Sequence, residues 1–211
     1  MNAGLSNLDT LKKHLLANTL AGNPQFDLVI QAIGLGMAAG FEQYCNRKFA
    51  RLIGAQDVLP GDRVNYLLSR YPLEALTTVE LKLDEADGYV VQTSDFVNTV
   101  DLKNGMVLLP NEADPGDELS QVRFTYTGGF WWEPLEPDDA AYPSALPAGA
   151  NALPDDLKLA WLLQCQQVWD ARDQIGLSLV DAPGTQQTID TLKLSPLVKT
   201  MIAPYVRYQM V

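Results

Sequence analysis

Histidine is nearly missing from this chain: His14 is the only one in 211 residues, and the two cysteines, Cys45 and Cys165, show no Cys-x-x-Cys spacing. That leaves no material for a histidine-cysteine metal centre, and no metal or cofactor is expected. Long hydrophobic runs are absent too. No stretch approaches the roughly 20 apolar residues that span a bilayer, and residues 1–22 lack the basic start and unbroken apolar centre of a signal peptide, so the reading is intracellular synthesis with no membrane contact. Basic charge is scarce, with 15 Lys and Arg against 26 Asp and Glu and a net charge of -11. A surface built to grip phosphates has the opposite sign. An acidic surface beside DNA repels the polymer and lets it pass without sticking. Catalytic signatures are missing as well: there is no P-loop, no G-x-S-x-G and no H-E-x-x-H. Asp138-Asp139 and Asp155-Asp156 are paired carboxylates, but adjacent acids at a helix start read as caps, and no enzymatic activity is expected.

What is present is an ordinary globular composition, 47% hydrophobic and 19% charged, long enough for one core plus an inserted module. The charge is uneven: residues 1–70, 71–153 and 154–211 carry +2, -12 and -1. The acidic middle therefore reads as a separate module. The clearest element is a helix over about 154–175. Pro154 suits its first turn, Asp155 and Asp156 face the positive end of its dipole, and Gly176 stops it. Leu157, Trp161, Cys165, Val168, Arg172 and Ile175 recur at three- and four-residue steps, with Leu163 and Trp169 widening the stripe. Cys45 and Cys165 both fall on apolar helical faces and read as buried free thiols.

In chain order, Ser6 opens a first helix over about 7–20, with Asp9 completing an imperfect capping box and Leu8, Leu11 and Leu15 on one face. His14, beside Lys12 and Lys13, reads as solvated or interfacial. A second helix over about 25–46 presents Phe26, Val29, Ile30, Ile33, Met37, Phe41 and Tyr44. Gly34, Gly36 and Gly40 weaken it by up to about 1 kcal/mol each relative to alanine, and in return admit a close neighbour. Gly34-Leu35-Gly36-Met37-Ala38-Ala39 also matches G-x-G-x-x-A, with Asp57 at the distance of a ribose-binding acid. A true dinucleotide fingerprint follows a strand and opens a helix, whereas these glycines fall inside a helical pattern.

After Lys48 the pattern becomes extended. Strands are predicted near 49–58, 63–70, 76–83, 88–92, 105–109 and 121–127, separated by Pro, Gly, Asn and Asp turns. Thr77, Val79, Leu81 and Leu83 are predicted on one face, and Val122, Phe124 and Tyr126 on another. Residues 131–153 form a long Pro-, Ala- and acid-rich connection with no regular structure expected; Trp131, Trp132 and Tyr142 either anchor it or offer a sugar or partner surface. Residues 177–191 read as a linker. Ser195 and Pro196 start a last helix as N-cap and first position, and the chain ends on an aromatic, apolar segment.

The order of these features resembles the bacteriophage head-to-tail connector (adaptor) family, whose members sit as a ring under the portal. The residues that carry the resemblance are 8–15, 38–49 (AAGFEQYCNRKF), Tyr71-Pro72-Leu73 leading into Val79, and Tyr126-Thr127-Gly128-Gly129-Phe130. It continues with 153–160 (LPDDLKLA) followed by Trp169 and Arg172, then Leu194-Ser195-Pro196 and Ala203-Pro204-Tyr205, and so runs nearly end to end.

The resemblance implies an α+β fold: a helical bundle (1–48 and 154–211) with an inserted, mostly antiparallel β module (49–130) and the 131–153 connection. It implies a structural virion protein made in the bacterial host cytoplasm. That protein would form a homo-oligomeric, dodecameric ring in the neck, between the portal and a stopper or tail-completion protein, with a channel for the genome and only transient, non-sequence-specific proximity to DNA. On this reading Leu197, Ile202, Tyr205, Arg207, Tyr208, Met210 and Val211 are the portal-facing candidates. Gly36, Gly40, Trp131, Trp132 and Tyr142 are candidates for the contact with a ring neighbour or the next ring. The alternatives are a glycan-binding module, prompted by Trp131-Trp132 beside acidic residues, and a nicotinamide-dependent oxidoreductase.

Overall fold

The computed structural model describes residues 2–16, 23–83, 88–110, 120–133, 139–172, 178–180, 186–188 and 193–207. It is an α+β fold of two units: Met1–Asn46 with Glu133–Pro137 and Leu153–Val211 form a helical unit, and Arg47–Trp132 with Asp138–Ala152 form a β unit.

In the helical unit, α2 (Asp27–Cys45) packs on α3 (Asp155–Asp170), α1 (Leu8–Leu15) packs on both, and α4 (Pro196–Ile202) packs on α3. The first cap differs from expectation. Asn7, not Ser6, caps α1 by accepting the Thr10 amide at 2.9 Å, and the helix ends at Leu15 rather than near residue 20. Ser6 is free for another role because its hydroxyl donates to Glu133 Oε1. Lys12 tolerates burial through its 2.5 Å ion pair with Asp27.

A short 3-10 turn, Pro24–Phe26, leads into α2, which Asn46 closes in the left-handed region. The inward face of α2 is Ile30, Gly34, Met37, Phe41 and Cys45. Val29 and Tyr44, expected inside, are exposed. The reason lies at Gly34, where a Cβ would collide with the Ala3 carbonyl and with Leu11, and stand 3.1 Å from Trp161. That approach fixes which side of the helix points in, and the Trp161 indole N–H locks it by donating to the Gly34 carbonyl at 3.0 Å.

α3 buries Leu157, Ala160, Trp161, Gln164, Cys165, Val168 and Trp169. It is shorter than predicted. Arg172, expected on its apolar stripe, lies beyond the helix, donates to the Trp169 carbonyl and sits 4.3 Å from the Trp169 ring centre. Ile175 and Gly176 lie outside the described residues. Within the stretch read as a linker, Ser178–Val180 (β10) and Gln186–Thr188 (β11) pair antiparallel. Both cysteines are buried, and neither is in a disulfide.

The β unit contains an antiparallel sheet in the order β1-β7-β3-β4, with β1 Leu52–Pro60, β3 Leu73–Lys82, β4 Val90–Val91 and β7 Gln121–Gly128. A second antiparallel sheet has the order β2-β6-β5, with β2 Asn65–Leu67, β5 Thr99–Asp101 and β6 Met106–Leu108. Val122, Phe124 and Tyr126 of β7 point inward as predicted, and meet Tyr66, Leu68, Val107 and Leu109 in one apolar cluster. β3 departs from strict alternation. Its register shifts between Leu76 and Thr78, so Thr77 is exposed while Val79 and Leu81 face the core; Leu83, past the end of the strand, is exposed as well. The short β5 was not expected, because three residues carry too little periodicity to read.

Three polar clusters help to hold this unit. The Tyr126 hydroxyl donates to Asp57 Oδ2 at 2.8 Å, and Asp57 also accepts from the Ser69 amide and hydroxyl. Arg51 makes a two-pronged contact with Glu74, at 2.6 and 2.7 Å. Arg47 donates to the Tyr71 carbonyl with its guanidinium over the Tyr71 ring.

Two outcomes follow. Gly34→Ala is expected to destabilise the helical unit by about 1–3 kcal/mol, through overpacking against backbone. Gly36→Ala, where a Cβ meets nothing within 4 Å, is expected to stabilise it by up to about 1 kcal/mol. Equal melting temperatures for the two variants would defeat this account. For Tyr126, burial pushes the phenol up to about 12 from an ordinary 10. The unfolded chain then loses its proton first, so stability should fall as pH rises from about 10 to about 12. Denaturation across that range should show a shallower fall in Tyr126→Phe.

Candidate functional site: assembly surfaces

The C-terminal helix is positioned by a buried glutamine that the sequence reading overlooked. Gln164 of α3 donates to the Lys193 carbonyl and accepts the Ser195 amide, and Ser195 in turn accepts the Val198 amide as N-cap. This clamp orients α4 so that Val198 and Ile202 are buried while Leu197 is 62% exposed. Ile202 is therefore a core residue and not a surface for a partner, a correction set by the helical repeat once Ser195 fixes the start. The segment after α4 turns back on its own unit: the Tyr205 hydroxyl donates to Asp156 Oδ1 at 2.6 Å, and the Arg207 amide donates to the Cys45 carbonyl at 2.9 Å. Of the described portal-facing candidates, Leu197 is the most exposed and Tyr205 and Arg207 are half-buried. Tyr208, Met210 and Val211 lie outside the described residues.

Glu133 is a second overlooked residue. It accepts from Ser6 at 2.9 Å, Thr10 at 3.2 Å and Lys158 at 2.7 Å, tying the start of the chain to α3. Burial alone would raise its carboxyl; the three donors outweigh that and hold it below the usual carboxylate range. A charged residue in an acidic connection gave no sign of three partners spread over the sequence.

The second helix offers a surface. Beside α2 lies an open groove of about 430 Å³, lined by Leu28, Val29, Ala32, Ile33, Gly36 and Met37 of α2 with Val168 of α3. Leu28 is 81% exposed. Gly36 and Gly40 have open space over their Cα atoms, unlike Gly34.

In the 131–153 connection, Trp132 and Tyr142 are 3% and 4% exposed, with ring centres 5.0 Å apart. These two are loop anchors and not partner-facing side chains: large aromatic rings bury against each other before they face water. Half-buried Trp131 donates its indole N–H to the Pro143 carbonyl at 3.1 Å. The connection is also less irregular than predicted, since Phe130–Trp131 (β8) and Asn151–Ala152 (β9) pair in parallel. Arg51 adds a bond to the Ala141 carbonyl. Between these anchors, residues 144–146 and 148 are exposed, and Leu146 stands at 46%.

The described carboxylates of the two acidic pairs make local contacts. Asp156 Oδ1 accepts the Leu157 amide, and Asp139 Oδ1 accepts the Ala141 amide, so both act in local caps and turns. Asp138 lies outside the described residues. The G-x-G-x-x-A stretch sits in the middle of α2, which follows the 3-10 turn at Pro24–Phe26, whereas a dinucleotide fingerprint opens a helix directly after a strand. Among the described residues there is no cluster of three or more potential metal ligands, and no helix long and apolar enough to cross a membrane.

Removing Arg51 would leave Glu74, only 10% exposed, without its counter-ion and would release Ala141. Arg51→Ala is expected to cost about 3–5 kcal/mol in urea denaturation. Arg51→Lys should recover only part of it, because an ammonium cannot make the fork. A loss below about 1 kcal/mol for Arg51→Ala would show that the pair is not structural.

No family model and no curated protein matches the chain. Among solved structures, it is similar to a chain in the neck of an empty gene transfer agent (GTA) particle computed with C6 symmetry: TM-score 0.59, 18% identity, 97% of this chain and 90% of that one. It is also similar to a chain in the virion of a native GTA particle, with TM-score 0.55 and 16% identity over 97% and 90%. A third is in the neck of a native GTA particle computed with C12 symmetry, with TM-score 0.52 and 16% identity over 100% and 94%. At this identity the likeness is one of fold, and the α+β fold that the connector resemblance implied is the fold this chain shares with chains of phage-like particle necks.

Proposed function

We propose that the protein is a structural subunit of a virion neck, a head-to-tail connector. It assembles as a dodecameric ring between the portal and a stopper or tail-completion protein and leaves an axial channel for the genome. The observation that carries this reading is the end-to-end likeness of fold to chains in GTA necks, two of them computed with cyclic symmetry. A net charge of -11 suits a conduit past which DNA must slide without binding.

In this reading the C-terminal end, from exposed Leu197 through Tyr205, Arg207, Tyr208, Met210 and Val211, engages the portal. The protein acts by shape and contact, with no catalytic step and no cofactor.

The test is to mix the purified protein with its cognate portal-bearing, tailless capsids and image them by electron cryomicroscopy. A ring of added density under the portal is the expected outcome, with its symmetry giving the copy number. A chain lacking residues 208–211 should bind fewer capsids while melting as the full chain does. Bare portals at saturating protein would end the connector reading.

A further inference from the structure

We infer that the uncharged loop around Leu146 of one copy seats in the apolar groove beside α2 of the next copy, and that this is the head-to-tail contact of the ring. The inference rests on the connector reading and names the two surfaces that reading requires, since a cyclic assembly needs two different, complementary patches on every subunit.

The groove is an apolar surface that no described residue of its own unit covers, with Leu28, Val29, Ala32 and Ile33 above a floor that includes Met37 and Val168. Exposed apolar surface of this kind marks a contact site. Gly36 and Gly40 point the same way. They weaken α2, yet no described residue packs within 4 Å of where their Cβ atoms would stand, so packing among the described residues does not explain them. An approach from outside does.

Charge then selects the occupant. Two copies at -11 each repel, and repulsion is least where the facing surfaces carry no charge. α2 has no charged side chain from Leu28 to Phe41, and the loop has none from Ala140 to Pro154. Interface cores are depleted of charge in the same way. The loop is also held ready: Trp131 grips the Pro143 carbonyl, Tyr142 is buried against Trp132, and the Ala150 amide closes a turn onto the Pro147 carbonyl. Those anchors leave Leu146 46% exposed, an apolar side chain offered to an apolar groove.

The experiment uses the full chain on portal-bearing capsids. Cys45 and Cys165 are buried, so introduced cysteines are the reactive ones. A Leu28→Cys, Leu146→Cys double variant treated with a short bis-maleimide should give a ladder of multimers of this chain, while each single variant gives none. Gly36→Leu, which fills the groove at an exposed helical site, should melt no lower than the wild type yet reduce ring occupancy at least tenfold, and Leu146→Asp should do the same. A ladder from Leu28→Cys alone would mean like faces like, and a product joined to the portal would mean another occupant; either overturns the inference. So would a ring of wild-type occupancy with Gly36→Leu and Leu146→Asp, which leaves the connector reading standing. If the wild-type chain forms no ring, that reading falls first and the inference with it.

Discussion

The helical unit depends on one contact, the meeting of α2, α3 and the start of the chain at Gly34. A hydrogen atom in place of a side chain lets the Ala3 carbonyl and Leu11 press onto α2, and Trp161, fully buried, donates to the Gly34 carbonyl. A buried indole N–H without an acceptor would cost about 1–3 kcal/mol, so this bond selects the depth and rotation of α3 as well as adding stability. From it follow the inward face of α2, the outward face that includes Leu28 and Gly36, and the groove between them.

The β unit answers to a different constraint, the burial of charged and hydroxyl groups among apolar side chains. Arg51 and Glu74 satisfy each other, and Asp57 is surrounded by donors from Ser69 and Tyr126. Such groups are tolerable only as complete sets, because a half-satisfied buried network is worse than an apolar one. Arg51 also reaches the Ala141 carbonyl, so the network that holds the sheet also holds the loop that carries Leu146. Stability and presentation of that surface therefore come from the same side chains.

A strongly acidic chain that is to join copies of itself faces a conflict between solubility and association. Net charge keeps subunits apart in solution, and association must then use surfaces where charge is missing. In the proposed ring, the uncharged stretches on α2 and in the loop would meet that requirement at low electrostatic cost. Any docking strength would come from apolar area, at about 25 cal/mol per Å² before the losses of ordering.

By itself the sequence determined the class and the order of parts. Alternation in β7, helical spacing in α2 and α3, and the Ser195-Pro196 start of α4 are local patterns, set by residues close in the chain, and each element is present, though α3 is shorter than its pattern and α2 turns Val29 and Tyr44 outward. The family resemblance carried the rest of the way to a fold shared with neck chains. Tertiary structure alone decided which glycine of α2 faces inward, because three glycines look alike until one meets a carbonyl from residue 3. It decided that Ile202, Trp132 and Tyr142 are buried, that Glu133 and Gln164 are hubs, and that Leu146 is left outside. Those outcomes depend on partners from 10 residues away, as for Trp132 and Tyr142, to 127, as for Trp161 and Gly34, and no local period encodes a partner at such distances.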